Sequence, residues 1–217
     1  MSIKRLIKTA ILILPSAIQR NIYWNNNRVQ RHNKIKKWES RGKPLPPPHQ
    51  YKQLIIEQIS KKYQLKYFVE TGTFLGHMIE AQRNNFLSLY SIEVEPNLYM
   101  KAYKYFMPYK HIKLVQGDSA IKLKEVLDEI GNQPVLFWLD GHYSGENTGM
   151  GDKQCPVYDE LEIIFNKVIA AKYILIDDAR CFDGTNDYPS INELKDFVGK
   201  KEKGLQVKIL NDIIHIY

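Results

Sequence analysis

Carboxylate side chains follow two apolar segments that have the composition of buried β-strands. Asp140 comes directly after Pro134 to Leu139, and Asp177 and Asp178 come directly after Tyr173 to Ile176. Neighbouring strand ends of a parallel sheet lie about 5 Å apart, so adjacent strands would bring these carboxylates together. Three such carboxylates repel one another, and a divalent cation with oxygen ligands, Mg²⁺ or Mn²⁺, removes that cost. The sequence therefore predicts a metal site; the alternative is that two of the three cap helices and point apart.

A histidine, His142, stands two residues beyond Asp140. Its ordinary pKa of about 6.5 suits a general base at neutral pH. We predict that His142 and Asp140 are catalytic, with two alternatives for the histidine: a further metal ligand, or a loop residue hydrogen-bonded to the backbone.

A turn with two glycines follows the predicted strand Tyr67 to Thr71. Glycines at this place let the backbone approach a ligand, and the helix N-terminus beyond them favours an electron-rich group. The turn differs from the dinucleotide signature Gly-x-Gly-x-x-Gly, because an acid precedes it and a pyrophosphate would meet a carboxylate. A nucleotide-like ligand or a tight strand-to-helix turn both fit. The candidate ligand-binding residues are Glu70, Gly72, Thr73 and Gly76.

Two further strand ends carry hydrogen-bonding side chains. Glu93 follows Gly72 by about twenty residues, a spacing that suits an acid accepting both hydroxyls of a ribose. Asp118 and Ser119 follow the third predicted strand and could hydrogen-bond an adenine. For each, a helix-capping role is the alternative, since Asp and Ser are both preferred N-caps.

Strands and helices must alternate to position these residues. The predicted helices start after Gly76, at Pro96, after Ser119 (to about Ile130), at Pro156 (to about Ala170) and at Ile191 (to Val198). The predicted strands are Tyr67 to Thr71, Leu89 to Val94, Ile112 to Gln116, Pro134 to Leu139, Tyr173 to Ile176, Leu205 to Leu210 and Ile213 to Tyr217.

This order predicts an α/β protein with a Rossmann-like, mostly parallel seven-stranded sheet and helices on both faces. The last two strands, separated by Asn211 and Asp212, predict a C-terminal antiparallel hairpin. Ligands of such sheets bind beyond the carboxyl ends of the strands, where the candidate residues lie.

The N-terminal residues 1–45 form a basic arm, and residues 46–217 form the predicted domain. The arm holds 11 Lys and Arg against one acid, a net charge of +10, whereas the remainder carries −3 of the total +7. Prolines at 44 and 46–48 indicate a stiff linker. Apolar residues recur at helical spacing at Ile3, Leu6, Ile7, Ala10, Ile11, Leu14 and Ile18.

Three interpretations of this amphipathic, basic segment stay open. It could lie in a membrane interface as a peripheral contact, dock on its own domain or on a second subunit of a homo-oligomer, or serve as a signal peptide. The acidic balance of the domain gives no reason to expect nucleic-acid binding.

Composition narrows the class of protein. Hydrophobic residues make up 44% and charged residues 25%, as in ordinary globular proteins. No apolar run approaches the roughly 20 residues of a membrane-spanning helix. Two cysteines exclude a disulfide scaffold and favour a reducing, cytoplasmic location. Signatures of serine hydrolases, zinc peptidases and P-loop nucleotidases are absent from the sequence.

The ordered set of motifs from Tyr67 to Tyr217 resembles the class I S-adenosylmethionine-dependent methyltransferases. The resemblance implies S-adenosylmethionine as cofactor. In this sequence Gly72 and Gly76 match the methionine-binding turn, Glu93 matches the ribose acid, and Asp118 with Ser119 matches the adenine contact.

Within that class the aspartates resemble those of divalent-metal-dependent O-methyltransferases of the catechol and macrocin types. Asp140, Asp177 and Asp178 match the Mg²⁺ ligands of those enzymes. Catechol-type enzymes carry a lysine base shortly after the first of them; here His142 is the nearest candidate. The string also resembles methyltransferase-like proteins associated with bacterial surface-polysaccharide gene clusters.

The function expected from this resemblance is Mg²⁺-assisted methylation of a hydroxyl on a sugar or other small polyol, in polysaccharide biosynthesis. Two alternatives stay open. One is a non-catalytic, methyltransferase-like binding module that acts through its basic arm. The other is an iron-dependent hydroxylase-like enzyme, which would need a second histidine at the site.

Overall fold

The computed structural model describes residues 30–141 and 153–217. The chain divides into two compact units between Lys52 and Gln53. In the described part of the first unit, residues 30–40 are helical. The indole N–H of Trp38 donates to the Pro44 carbonyl at 2.7 Å, and its ring lies 4.7 Å from that of Tyr51. The domain boundary at residue 46 stays a prediction.

The second unit is built on one sheet of seven strands in the order β3-β2-β1-β4-β5-β7-β6. Strands β1 to β5 pair in parallel, and β7 pairs antiparallel with both β5 and β6. This topology confirms the predicted fold class and its C-terminal hairpin. The strands are β1 Tyr67–Thr71, β2 Ser88–Glu93, β3 Ile112–Gln116, β4 Pro134–Leu139, β5 Ala171–Ile176, β6 Val207–Leu210 and β7 Ile213–Ile216.

The central strands are apolar on both faces of the sheet, and both faces are buried. In β4, five consecutive residues after Pro134 are buried, as expected for a central parallel strand covered on both sides. Helices alternate with the strands, and those at Pro96–Phe106 and Ser119–Ile130 contact the sheet. In the described residues from His49 onward, the helices are α1 His49–Lys62, α2 His77–Gln82, α3 Pro96–Phe106, α4 Ser119–Ile130, α5 Val157–Phe165 and α6 Ile191–Lys201, and a 3₁₀ turn lies at Ala179–Cys181.

Local capping sets where several helices begin. Glu95 caps α3, since its carboxylate accepts the Leu98 N–H at 2.6 Å. Pro96 follows at the first helical position, where a missing backbone N–H costs no helical hydrogen bond. Ser190 and Glu193 form a capping box at the start of α6. These are sequence-local signals, which is why the starts of α3 and α6 agree with the prediction.

Two helices differ from the sequence prediction. Helix α5 ends at Phe165 and not near Ala170, because Asn166 closes its last turn with an N–H bond to Glu162, and β5 then begins at Ala171. Helix α1 was not predicted, although Ile56 and Ile59 are buried at helical spacing.

The proposed amphipathic helix of the arm lies outside the described residues, and its role stays a prediction. Within residues 30–141 and 153–217, no helix is both long enough and apolar enough to cross a membrane.

Candidate functional site

The carboxyl ends of β2, β1, β4 and β5 form one continuous edge. The N–H of Gly72 donates to Ile92 O at 2.9 Å, and the N–H of Asp140 donates to Thr71 O at 3.1 Å. The N–H of Asp177 donates to Leu139 O at 3.0 Å. The structure therefore brings the predicted turn and two of the predicted aspartates to one place.

The turn after β1 needs glycine because two strand ends approach closely there. Gly72 has φ +81°, and a Cβ on it would lie 2.4 Å from the carbonyl oxygen of Asp140. Gly76 has φ +71°, and a Cβ there would lie 2.6 Å from the Phe106 ring. Both glycines are therefore required by packing within the protein, as in a tight strand-to-helix turn, and the ligand-binding role of Gly72 and Gly76 stays a prediction.

Two buried hydroxyl groups, those of Ser91 and Thr73, form a hydrogen-bonded series that ends at the Glu70 carboxylate. Ser91 donates to the Glu70 carboxylate at 2.6 Å, and Thr73 lies 2.6 Å from the Ser91 oxygen. Because the Ser91 hydrogen goes to Glu70, the Thr73 hydroxyl donates to Ser91. Burial raises the pKa of Glu70 well above its usual range; the Ser91 bond opposes this, and Asp140 and Glu93 add to it. The site is therefore suited to a cationic group, which would relieve the buried carboxyl.

Glu93 is buried and its carboxylate is held by two backbone donors. Oε2 accepts the Phe74 N–H at 2.7 Å, and Oε1 accepts the Glu95 N–H at 3.0 Å. A carboxylate has about four acceptor positions, so two stay available for ligand hydroxyls. The helix cap is Glu95 and not Glu93, which argues against the capping alternative.

Asp118 caps α4, since its Oδ1 accepts the Ala120 N–H at 2.8 Å. One oxygen is thereby committed to the fold. The adenine contact of Asp118 and Ser119 stays a prediction.

The aspartates after β4 and β5 do not form a metal site in the described residues. Among residues 30–141 and 153–217, no group of three or more His, Cys, Asp or Glu side chains could hold a metal ion. Asp177 Oδ1 accepts the N–H of Asp178 at 2.8 Å, and Asp178 Oδ1 accepts from Arg180 at 2.7 Å. In this arrangement the carboxylates of Asp177 and Asp178 accept hydrogen bonds and do not fit a metal ion. The metal role of Asp140, Asp177 and Asp178 therefore stays a prediction. His142 lies outside the described residues.

Comparisons with known proteins bear on the fold. No protein-family model and no curated protein matches the sequence. Among solved structures, the methyltransferase PaMTH1 of Podospora anserina, bound to S-adenosylhomocysteine, aligns with 98% of this chain and 93% of its own, at 14% identity and TM-score 0.55. The fold is that of the class I methyltransferases.

Two further solved structures show the same methyltransferase fold. TomG of Streptomyces achromogenes, an O-methyltransferase of tomaymycin synthesis in complex with S-adenosylmethionine, gives TM-score 0.56 at 13% identity, covering 86% of this chain and 87% of its own. An O-methyltransferase of Bacillus cereus in complex with S-adenosylhomocysteine gives TM-score 0.51 at 11% identity, covering 86% of this chain and 89% of its own. The resemblance inferred from the sequence is confirmed at the level of the fold.

Three side chains that the sequence did not single out lie at this edge of the methyltransferase fold. Glu160, in the first turn of α5, is buried with Oε1 3.3 Å from where a Cβ of Gly141 would stand. Burial raises the pKa of Tyr188, and the negative charges of Asp178 and Asp140 are among the smaller causes. Asp212, in the hairpin turn, pairs with Arg180. The first turn of α5 holds two acids, and the signal that could have indicated Glu160 is its helical spacing to the apolar Val157 and Ile164.

Proposed function

We propose that this protein transfers a methyl group from S-adenosylmethionine to a hydroxyl of a sugar or other small polyol. The observation that carries the proposal is the pair of buried carboxyls, Glu70 at the end of β1 and Glu93 at the end of β2, beside the turn that begins at Gly72. The named solved structures that share the fold are methyltransferases, with the cofactor or its product bound.

Each part of this strand edge would suit one part of the cofactor. Glu70 would face the methionine ammonium, whose positive charge offsets the cost of burying the carboxylate. Glu93 would accept the ribose hydroxyls on its two remaining acceptor positions. Asp118 and Ser119 would contact the adenine. Bound S-adenosylmethionine supplies a sulfonium methyl group, whose transfer to an acceptor oxygen leaves S-adenosylhomocysteine.

The acceptor would lie over the ends of β4 and β5. Asp140 would orient the acceptor hydroxyl, with the Tyr188 phenol as a further hydrogen-bond partner. The proton released by the hydroxyl would go to Asp140 or to His142, which follow β4. Holding the oxygen in line with the methyl group is the main contribution of such a site. The Mg²⁺ assistance predicted from the sequence is not part of this proposal, because the described carboxylates do not fit a metal ion. The experiment below tests it by comparing Mg²⁺ with EDTA.

The sugar acceptor, a role in polysaccharide biosynthesis and a cytoplasmic location rest on the sequence resemblance and composition. Nothing in the described residues favours the non-catalytic module or the iron-dependent hydroxylase, so neither is proposed.

The test is methyl transfer by the full chain. The protein is incubated with methyl-labelled S-adenosylmethionine and a panel of free sugars, nucleotide sugars, linear polyols and catechol, with Mg²⁺ or with EDTA. We expect label in a sugar or polyol product, and loss of that label in Glu93→Ala. The variant Glu95→Ala, at the half-buried cap of α3, serves as the control and should retain activity. Label found only in catechol would contradict a sugar or polyol as the methyl acceptor. Formation of S-adenosylhomocysteine with no labelled product would contradict methyl transfer to any of these acceptors.

A further inference from the structure

Arg180 joins the loop after β5 to the turn of the C-terminal hairpin. Its Nη1 donates to Asp178 Oδ1 at 2.7 Å and also pairs with Asp212 Oδ2. The Asp212 side chain is 1% exposed, whereas that of Arg180 is 40% exposed. One guanidinium nitrogen therefore bridges two carboxylates at the edge where a metal ion was predicted.

Backbone contacts fix both partners of this bridge. Asp212 Oδ1 accepts the N–H of Arg180 at 2.8 Å, and the Asp212 carbonyl accepts the N–H of Ala179 at 2.9 Å. Asp178 and Asp212 both have positive φ, of 56° and 66°, so their carboxylates are set by the two turns. The bridge belongs to the docking of the hairpin against the loop after β5.

A divalent cation at Asp178 would stand beside the positive charge of this guanidinium and would be repelled by it. Moving the guanidinium away to relieve that repulsion would leave the carboxylate of Asp212 buried without its counter-charge, which is strongly unfavourable. Arginine also stays protonated at any pH at which the protein is folded, so the bridge does not release at neutral pH.

We infer that Arg180 is the resident counter-cation of this strand edge: it neutralises Asp178 and Asp212 and excludes Mg²⁺ and Mn²⁺. The Arg180 guanidinium thereby takes the electrostatic place that a metal ion holds in the metal-dependent O-methyltransferases. The inference concerns cation binding and does not depend on methyl transfer.

The test is calorimetric titration of Mn²⁺ into the full chain at neutral pH. We expect no saturable binding by the wild type up to millimolar Mn²⁺. Arg180→Met should bind Mn²⁺ at least tenfold more tightly, because two carboxylates lose their counter-charge. Arg180→Lys keeps the charge and should behave as the wild type.

Two results would overturn the inference. The first is saturable micromolar binding of Mn²⁺ by the wild type that Asp178→Asn abolishes, a comparison that decides the matter even if Arg180→Met does not fold. The second is a folded Arg180→Met that binds Mn²⁺ no more tightly than the wild type. Titration of S-adenosylhomocysteine into the same samples reports on the cofactor pocket separately, so failure of the proposed function is distinguishable.

Discussion

The Glu70 carboxyl is held in an environment that penalises its charge in the ligand-free protein. Its pKa is raised mainly by burial, with Ser91 as its hydrogen-bond donor. An acid whose pKa rises on folding binds its proton more tightly in the folded state. The free energy of unfolding therefore falls as pH rises from about 4.5 towards the folded pKa, and the loss is complete above it.

Glu70→Gln should stabilise the ligand-free protein and weaken cofactor binding. The amide can still accept from Ser91 and carries no charge, so we expect a melting temperature a few degrees higher at pH 7. Loss of a charged hydrogen bond should weaken S-adenosylmethionine binding about 10- to 100-fold. Melting curves and calorimetry measure the two effects. Glu125→Gln, on the exposed face of α4, is the control. An unchanged melting temperature together with unchanged affinity would contradict the role of Glu70.

Gly72→Ala should destabilise the protein by about 3 kcal/mol or more, since a left-handed residue and a backbone clash are combined. Its Cβ would meet the Asp140 carbonyl at 2.4 Å, and backbone cannot give way easily. Gly204 also has positive φ but has nothing within 4 Å, so Gly204→Ala should cost only about 1–2 kcal/mol. Urea unfolding of both variants measures the difference. Equal losses would show that β1 and β4 are less closely apposed than described.

The antiparallel junction of β5 and β7 contains a buried histidine. His215 is 4% exposed, and its Nδ1 lies 3.0 Å from the hydroxyl of Tyr173. Tyr173 in turn stacks on Tyr217 at 4.9 Å. Burial lowers the pKa of His215 to about 4, so the folded protein holds the ring neutral.

Stability should therefore decrease as pH falls from about 6.5, where the unfolded histidine begins to bind a proton, to about 4. The full loss from this group is about 3 kcal/mol. His215→Gln should flatten the part of the pH profile between these limits, whereas the exposed His32→Gln should leave it unchanged. Urea unfolding at several pH values is the measurement, and parallel profiles for wild type and His215→Gln would contradict it.

Local patterns predicted elements better than contacts between them. The bounds of β1, β3 and β4 follow from apolar runs between turn residues, and they agree with the structure residue for residue. The end of α5 was misjudged because apolar residues continue past Asn166, where the helix closes. At the site, too, local patterns predicted positions in the chain better than they predicted contacts between distant residues. The order of strands could place Gly72 and Asp140 at one edge. The bridge between Arg180 and Asp212 joins positions 32 residues apart in sequence, and only the docked hairpin turn brings them together.

Charge is divided unequally along the molecule, with +10 on residues 1–45 and −3 on the rest. Each basic residue near an anionic lipid surface contributes about 1 kcal/mol, so the arm could hold the protein at a membrane. Reversing Lys4, Arg5 and Lys8 to Glu should weaken binding to phosphatidylglycerol-containing vesicles at least about 100-fold.

The matched control reverses three exposed lysines of the domain, Lys195, Lys200 and Lys203, which changes net charge equally. Vesicle sedimentation of the full chain should separate the two variants. Equal binding by both would show that net charge, and not the arm, determines vesicle binding; no binding by the wild type would remove the membrane role.

The edge formed by β2, β1, β4 and β5 is the proposed binding site of S-adenosylmethionine. Calorimetric titration of S-adenosylhomocysteine, the product that keeps every contact except the methyl group, tests it most directly. We predict saturable one-to-one binding by the wild type and by Glu95→Ala, and a loss of about 10-fold or more in Glu93→Ala, which lacks the buried acceptor. Absence of binding by the folded wild type, or equal affinity of the Glu93→Ala variant, would contradict the assignment of this pocket.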